Sequence, residues 1–401
     1  MVGWVIWSVL LGLVACVWAS RHVAISRARR EHVPLSSRSY PGPPVPPPFV
    51  SVLIAAKDEQ ANIAAAVESM LEQDYPAFEL IVINDRSQDR TPEILEALRA
   101  RHPDRLKVVH VRELHDGWFG KNNAMREGLT VARGEWLCFG DADCRQISKN
   151  SLSMAVRHAV DQNIEFLSVL PLLETHSLWE RIIQPVCGAV MVFWFHPKRV
   201  NDPRHPAAYA NGAFMLMKRD CYEAIGGHAA VKDQVNEDMH LARLAKQHGR
   251  RLVMVQGDDL YTVRMYARLS EIWRGWTRIF YGCFGTFRRL RVSLLMLLVM
   301  NLFPYASLLA AGVVLLARGL DGAGPGWLWV GGLSALAVAV QQTVIVRFYR
   351  LSHANPWLAP TFIIGAVVCV GMLFNAMLKL KGRTALTWRG TTYQGQTVVK
   401  A

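Results

Sequence analysis

The stretch Phe49–Asp85, FVSVLIAAKDEQANIAAAVESMLEQDYPAFELIVIND, decides the fold. FVSVLIAA (Phe49 to Ala56) is a short β-branched apolar run that stops at Lys57, Asp58 and Glu59, the pattern of a strand buried on both faces. Ile63, Val67, Met70 and Leu71 then fall at helical spacing, and FELIVIND (Phe78 to Asp85) repeats the strand pattern. The alternation continues with a helix over Thr91 to Ala100, a strand over LKVVHV (Leu106 to Val111), a helix over Lys121 to Ala132 and a strand over EWLCFGDAD (Glu135 to Asp143). Strand alternating with helix predicts an α/β fold whose sheet is parallel.

Ligands of such sheets bind beyond the carboxyl ends of the strands, and the polar residues collect there. Lys57, Asp58 and Glu59 follow the first strand, Asn84 and Asp85 close the second, and Asp141 and Asp143 close the fourth. One acidic residue after a strand is usually a turn or a helix cap, but carboxylates at several successive strand ends point to a site. Mg²⁺ takes one or two carboxylates together with phosphate oxygens and waters, so a divalent cation suits Asp141 and Asp143. If the strand persists, these two residues share a face. The segment around Gly120 and Lys121 is no P-loop, because His115 stands where a glycine is needed and Asn122 where a Ser or Thr is needed. No strand-to-helix turn carries GxGxxG, which disfavours a dinucleotide fold. What remains is a metal and carboxylate route to a pyrophosphate, with Lys121 near a helix start as a phosphate partner.

Outside this region the chain is apolar. Of 401 residues 51% are hydrophobic, too many for an all-soluble protein. Val2 to Ala19 is an apolar run of about the length that spans a bilayer as a helix, followed by Arg21, Arg27, Arg29 and Arg30. Charges after the run argue for an anchor instead of a cleaved signal, and place the following residues in the cytosol. Tyr40 to Pro48, YPGPPVPPP, is a stiff connector. Val292 to Leu316, Trp327 to Val346 and Ala359 to Leu378 are three further candidate spans. The expected organisation is an anchor (1–20), a basic Pro-rich linker (21–48), a catalytic domain (49–285), carboxyl-terminal spans (286–380) and a basic tail (381–401). With the amino terminus outside, three late spans would leave that tail outside as well, against the positive-inside rule, so one apolar stretch does not cross or the first assignment fails. Arg288, Arg289 and Arg291, within a formal charge of +13, suit a membrane surface or an anionic substrate as well as simple topology marking. Seven cysteines without a CxxC pair form neither a disulfide framework nor a zinc cluster.

Taken in order, these elements resemble glycosyltransferase family 2, whose catalytic domain has the GT-A fold. SVLIAAKDEQANI is similar to the family's opening strand and nucleotide-binding turn, and FELIVINDRSQDRTPEI to its second strand, with Asn84 in place of the first Asp of an Asp-Asp pair. GKNNAMREGLTVARGEWLCFGDADCR resembles the donor-binding helix and metal-binding Asp-x-Asp, and VNEDMHLARLAKQHG the Glu-Asp element of the catalytic base. The resemblance implies inverting transfer from a nucleotide sugar, a UDP-sugar foremost. It implies Asp238 as base with Glu237 beside it, Asp143 and Asp141 holding Mg²⁺ or Mn²⁺, and Lys57, Glu59, Asp85, Lys121 and Asp141 on the donor. Asn236 looks like a helix cap, which would put Asp238 in a first turn whose dipole favours the less basic, charged form, so a compensating apolar environment is required. EIWRGWTRIFYG stands where polymer-forming members carry Gln-x-x-Arg-Trp, a departure that argues for a single addition. Its Arg274 and Arg278 share a helix face, for pyrophosphate or lipid headgroups or, equally, as the polar side of an interfacial amphipathic helix with Trp273 and Trp276 as aromatic anchors.

The anchor, the late spans and the tail motif TWRGTTY (Thr387 to Tyr393) resemble the lipid-acceptor branch of the family, associated with ceramide, hopanoids and carotenoids. A lipid acceptor in the bilayer and a catalytic domain on the cytosolic face of the inner membrane are therefore expected, and no nucleic acid. Two rivals are a processive polysaccharide synthase, which usually has more spans, and a membrane scaffold with a dead transferase domain, which would lack the carboxylates.

Overall fold

A computed structural model describes residues 2–381 and the backbone of three short strands beyond them, Leu386–Trp388, Thr391–Gln394 and Thr397–Val399. The rest of the basic tail and the middle of TWRGTTY lie outside the described residues. The chain forms two units. One is helical and takes the chain through Glu31, Thr175–Met191 and residues 266–381; the other holds the seven-stranded sheet, within His32–Glu174 and Val192–Met265, and is grouped with the three short strands after residue 385.

The first helix, α1 (Val2–Glu31), runs on through Arg21, Arg27, Arg29 and Arg30, well into the stretch read as linker. Its 30 residues reach about 45 Å at 1.5 Å per residue, longer than a hydrocarbon core of about 30 Å and enough to cross one with its basic last turns to spare. The Pro-rich residues after it carry neither helix nor strand.

In the sheet unit β1 (Val50–Ala56), α2 (Ile63–Leu71), β2 (Phe78–Asp85), α3 (Thr91–Arg101), β3 (Leu106–Val111), α4 (Gly120–Leu129) and β4 (Trp136–Asp141) follow the expected alternation. Every residue of β2 is buried, as both its faces are covered by helices. Next come α5 (Ser151–Asp161), β5 (Phe166–Leu170), α6 (Leu178–Trp194), β6 (Phe214–Lys218), α7 (Glu237–Gln247) and β7 (Leu252–Gln256). The strand order is β3-β2-β1-β4-β6-β5-β7. The first four strands are parallel, but β6 pairs antiparallel with both β4 and β5, so the sheet is mixed where a purely parallel one was expected. Periodicity shows that a run is a strand and is silent on its direction. Register sets Ala56 beside Asn84 and Ala55 beside Asp141, which brings the polar ends of β2, β1 and β4 into one row.

The remaining helices are α8 (Leu269–Phe284), α9 (Phe287–Met296), α10 (Phe303–Ala323), α11 (Pro325–Leu351) and α12 (Phe362–Leu380), with one π turn, Leu297–Leu302, joining α9 to α10. Five helical segments among the described residues are long and apolar enough to cross a membrane: Gly3–Glu31, Leu178–Val200, Phe287–Ala323, Pro325–Leu351 and Pro356–Leu380. The sequence reading found four and missed Leu178–Val200, whose apolar run is interrupted by Glu180, Arg181 and Gln184. The catalytic domain expected over 49–285 is thus not one continuous block, because Thr175–Met191 and residues 266–285 belong to the helical unit.

Candidate active site

The turns after β1 and β2 are locked together. Asp58 and Arg86 both adopt left-handed backbone, at φ 55° and 57°, a conformation that costs a non-glycine residue of order 1 kcal/mol and is held only by surrounding contacts. Here the Asp58 amide donates to Ser87 Oγ at 3.0 Å and Asp58 Oδ1 accepts from the Gln88 amide at 2.8 Å. The Glu59 amide donates to Thr91 Oγ1 at 2.8 Å and the Gln60 amide to Asp89 Oδ2 at 2.9 Å. Asp58 therefore serves to shape the turn. Glu59, nearly buried, accepts from Asn62 Nδ2 at 3.0 Å where α2 begins, while Lys57 stands half-buried at the end of β1.

Asn84, the departure from the family pattern, hydrogen-bonds His110 Nδ1 at 3.0 Å, and His110 Nε2 lies 2.9 Å from Glu96 Oε1. It ties β2 to β3, and Asp85 is left as the carboxylate at this strand end. Arg86 grips Asp85 through Nε at 2.8 Å and Nη2 at 3.1 Å.

The start of α4 assigns one task to each residue. A Cβ on Gly120 would stand 2.8 Å from Asp85 Oδ2, so only glycine lets the helix end approach that carboxylate. Lys121 Nζ lies 2.6 Å from Asp141 Oδ1 and 2.6 Å from Glu237 Oε1. Asn122, fully buried, donates from Nδ2 to the carbonyls of Val231, Lys232 and Gln234, which fixes the loop leading into α7. Asn123 donates to the Glu113 carbonyl at 3.0 Å. The methyl group of Gly120→Ala must displace Asp85, so if Asp85 holds a nucleotide-sugar donor, as the resemblance implies, the substitution should weaken its binding by roughly tenfold, about 1.4 kcal/mol, in an equilibrium titration; unchanged affinity would take Asp85 out of that role.

Asn236 precedes α7 as its cap position, without a side-chain capping bond, and Glu237 and Asp238 occupy the first turn. Asp238 Oδ1 accepts from the Met239 amide at 2.7 Å and Oδ2 from the Gly212 amide at 3.0 Å. Despite these two donors and the helix start, its carboxyl is raised to about 7. Burial is the main cause, the charge of Glu237 adds to it, and Lys121 opposes it. Asp238 touches solvent, yet enough protein packs around it for desolvation to outweigh the dipole. This supplies the environment that a basic residue at a helix start requires. On Lys121 burial works to lower the ammonium pKa, and Asp141 and Glu237 more than reverse it, so the group stays charged.

Gly212, which the sequence reading missed, sits among these charges: a Cβ there would lie 3.0 Å from Lys121 Nζ, 3.4 Å from Glu237 Oε1 and 3.5 Å from Asp238 Oδ2. The only signal was the Asn-Gly pair just before the strand FMLMK. Arg86 was missed too; it adjoins Asp85 in NDRS.

Asp141 and Asp143 do not share a strand face as expected. β4 ends at Asp141, and Asp143 lies in a tight turn before the short strand Cys144–Gln146, because that strand joins a separate three-stranded sheet. Among the described residues no group of three or more His, Cys, Asp or Glu is placed to hold a metal. Two neighbouring carboxylates nevertheless fit a divalent cation that completes its shell with phosphate oxygens and water. Asp141, Glu237 and Asp238 also gather around a single ammonium, an excess of negative charge that a cation would offset.

Arg274 and Arg278 lie on α8, in the helical unit. Arg274 Nε donates to the Ser270 carbonyl at 3.3 Å and Arg278 Nη2 to Tyr266 Oη at 3.4 Å.

A mixed sheet with carboxylates at the ends of β2 and β4 and an acidic helix start facing them is the arrangement that the resemblance to a GT-A glycosyltransferase implies. The family model described as glycosyltransferase like family 2 matches residues 46–281, more than half of the chain, and the chain belongs to that family. Among curated proteins it is similar to 4,4'-diaponeurosporenoate glycosyltransferase of Staphylococcus aureus, in strain USA300 and in strain MRSA252. Each is 25% identical over 232 residues, which is 57% of this chain and 60% of the relative. The chain thus spans about three fifths of the length of the curated relatives it matches. Among solved structures it resembles the mannosyltransferase PcManGT from Pyrobaculum calidifontis in complex with GDP-Man and Mn²⁺, at a TM-score of 0.52 and 20% identity, over 90% of this chain and 98% of that one.

Proposed function

We propose that the protein transfers one sugar, with inversion, from a nucleotide-diphosphate sugar to a lipid acceptor of carotenoid-like chemistry at the cytosolic face of the inner membrane. The observation that carries this reading is Asp238: a carboxyl raised to about 7 beside Lys121 and Gly212 suits a base that must take a hydroxyl proton near neutral pH. Asp238 accepts the acceptor's proton as its oxygen attacks the anomeric carbon; the Gly212 and Met239 amides hold it in place, and the charges of Glu237 and Lys121 tune its basicity. Lys57, Asp85, Lys121 and Asp141 bind the donor, and Glu59 positions the turn that carries Lys57. Arg274 and Arg278 serve the pyrophosphate or the lipid headgroup. Asp143 and Asp141 would hold Mg²⁺ or Mn²⁺, which supplies charge stabilisation to the leaving diphosphate.

Three supports come from outside the site. The name of the S. aureus relatives specifies a carotenoid-type acid as acceptor, five apolar helices suit an acceptor dissolved in lipid, and the Mn²⁺ reported with PcManGT suits the Asp141–Asp143 pair. Membranes containing the protein, given a panel of labelled nucleotide sugars and then extracted for lipid, should yield a labelled glycolipid with one sugar, and excess chelator should stop its formation. Label in a long polymer would favour the synthase reading; full turnover in chelator would remove the metal.

A further inference from the structure

Within the helical unit, contacts fix the direction of each apolar helix. Trp4 packs edge-on against Trp327 at 4.9 Å, while His22 Nδ1 lies 2.8 Å from Arg347 Nη1 and Arg347 Nη2 donates to Ser26 Oγ at 2.8 Å. α1 and α11 therefore run parallel from a tryptophan end to an arginine end, separated by about 30 Å at 1.5 Å per residue, one hydrocarbon core. α10 runs opposite to them: Trp7 Nε1 donates to Ser307 Oγ and Gln341 Nε2 to Asn301 Oδ1, while Gly331 faces Ala311.

α12 does not follow this pattern. Its first residue, Phe362, meets Tyr349 at 6.3 Å, at the arginine end of α11. At its far end, Lys381 Nζ sits 4.7 Å over the ring of Phe287. Phe287 opens α9, whose helix continues into α10, so it lies about 20 Å before Asn301 along that axis, also toward the arginine end. Both termini of α12 are thus on one side. α6 is held the same way by connectivity: β5 precedes it, β6 follows it, and the two strands hydrogen-bond to each other, with Leu167 opposite Leu216. A chain whose two flanks share one sheet cannot have crossed a membrane between them. α6 and α12 also pack together closely, since a Cβ on Gly365 would stand 2.5 Å from the Ile182 carbonyl oxygen, the close approach that small residues allow between helices in lipid.

We propose that α6 and α12 do not cross the bilayer but lie in the leaflet at the arginine end, as a shelf whose partner is the acyl region of that leaflet. Only α1, α10 and α11 span. The outward residues suit lipid: Ile364, Val367 and Phe374 on α12, Leu178 and Trp179 on α6, and Trp357 in the connection between α11 and α12. Charge agrees. Arg29 and Arg30 end α1, Arg288, Arg289 and Arg291 open α9, Arg347 and Arg350 end α11, and Lys379 and Lys381 end α12, so every cluster falls on the arginine side. The basic tail then leaves on that side too, which removes the conflict with the positive-inside rule.

Site-directed labelling tests this without reference to activity. Cys16 is exposed and the other six cysteines are buried, so Cys16→Ser gives a quiet background. In it, single Arg90→Cys, Arg204→Cys, Lys381→Cys and Asp321→Cys variants are treated with a membrane-impermeant maleimide before and after permeabilisation. Arg90 and Arg204 flank α6 in the chain, and Asp321 marks the tryptophan end. The expected result is that positions 90, 204 and 381 label from one side and position 321 from the other. Positions 321 and 381 labelling from the same side would show that α12 crosses, and positions 90 and 204 on opposite sides would show that α6 does; either overturns the proposal. Which side is external reports separately on the cytosolic orientation proposed above.

Discussion

Asp238→Asn is expected to cut sugar transfer by about 10²–10⁴-fold, the usual worth of a general base, while leaving donor affinity close to that of the parent protein. The substitution keeps the shape of the side chain and one oxygen for the Gly212 amide at 3.0 Å, while its NH2 gives up both the site that takes the proton and the acceptor of the Met239 amide at 2.7 Å. The wild-type pH profile follows from the same residue. A base must be deprotonated to work, and this carboxyl is raised to about 7, so kcat/KM should climb with pH through about 7 and level off above it. An ordinary carboxylate would have levelled off near pH 4. Asp143→Asn should behave differently and weaken donor and metal binding together, because its role is held in the ground state as well. Single-turnover transfer measured beside donor affinity separates the two. If Asp238→Asn lost donor affinity as badly as Asp143→Asn, Asp238 would be a binding residue and Glu237 the next base to test.

Lys121→Ala should damage both stability and activity. It strips the counter-charge from Asp141 and from Glu237, whose side chain is only 5% exposed. Removing one partner of a fully buried pair costs about 3–5 kcal/mol. Asp141 keeps 36% of its side chain exposed, so solvent screens part of the loss and about 2–3 kcal/mol is the expected cost. Chemical unfolding in detergent micelles measures it. The second effect has a definite sign: Lys121 holds the Asp238 carboxyl down, so without it that carboxyl rises further and the residual pH profile moves to higher pH. An unchanged profile would mean that Lys121 does not act on Asp238. Lys121→Arg, which retains the charge, should recover most of the stability and less of the activity, since a planar guanidinium cannot take the place of an ammonium between two carboxylates 2.6 Å away.

Much of this was legible along the chain. The runs VSVLIAA, FELIVIND and LKVVHV became β1, β2 and β3 at or within a residue of the expected ends, because a strand covered on both faces must be continuously apolar and must stop where the chain reaches water. The carboxylates after β1 and at the end of β2 singled out the candidate site for the same reason. Helix α7 likewise begins after Asn236 as expected, with Asp238 in its first turn.

Other features depend on partners distant in sequence. Nothing local states that β6 runs antiparallel, that Gly212 comes to rest against Lys121, or that Asp58 and Arg86 are locked by residues of each other's turn. Apolar length identifies a helix that could sit in lipid; it says nothing about where the two ends go, and the ends of α12 are set by Tyr349 and Phe287. Composition and periodicity alone therefore determined that this protein pairs an α/β domain with long apolar helices, since burial imposes its pattern residue by residue. The basicity of Asp238 was decided only by tertiary structure, because it is the balance of a helix start, burial, Glu237 and Lys121, and the last of these lies on a different helix and meets them only in the folded chain.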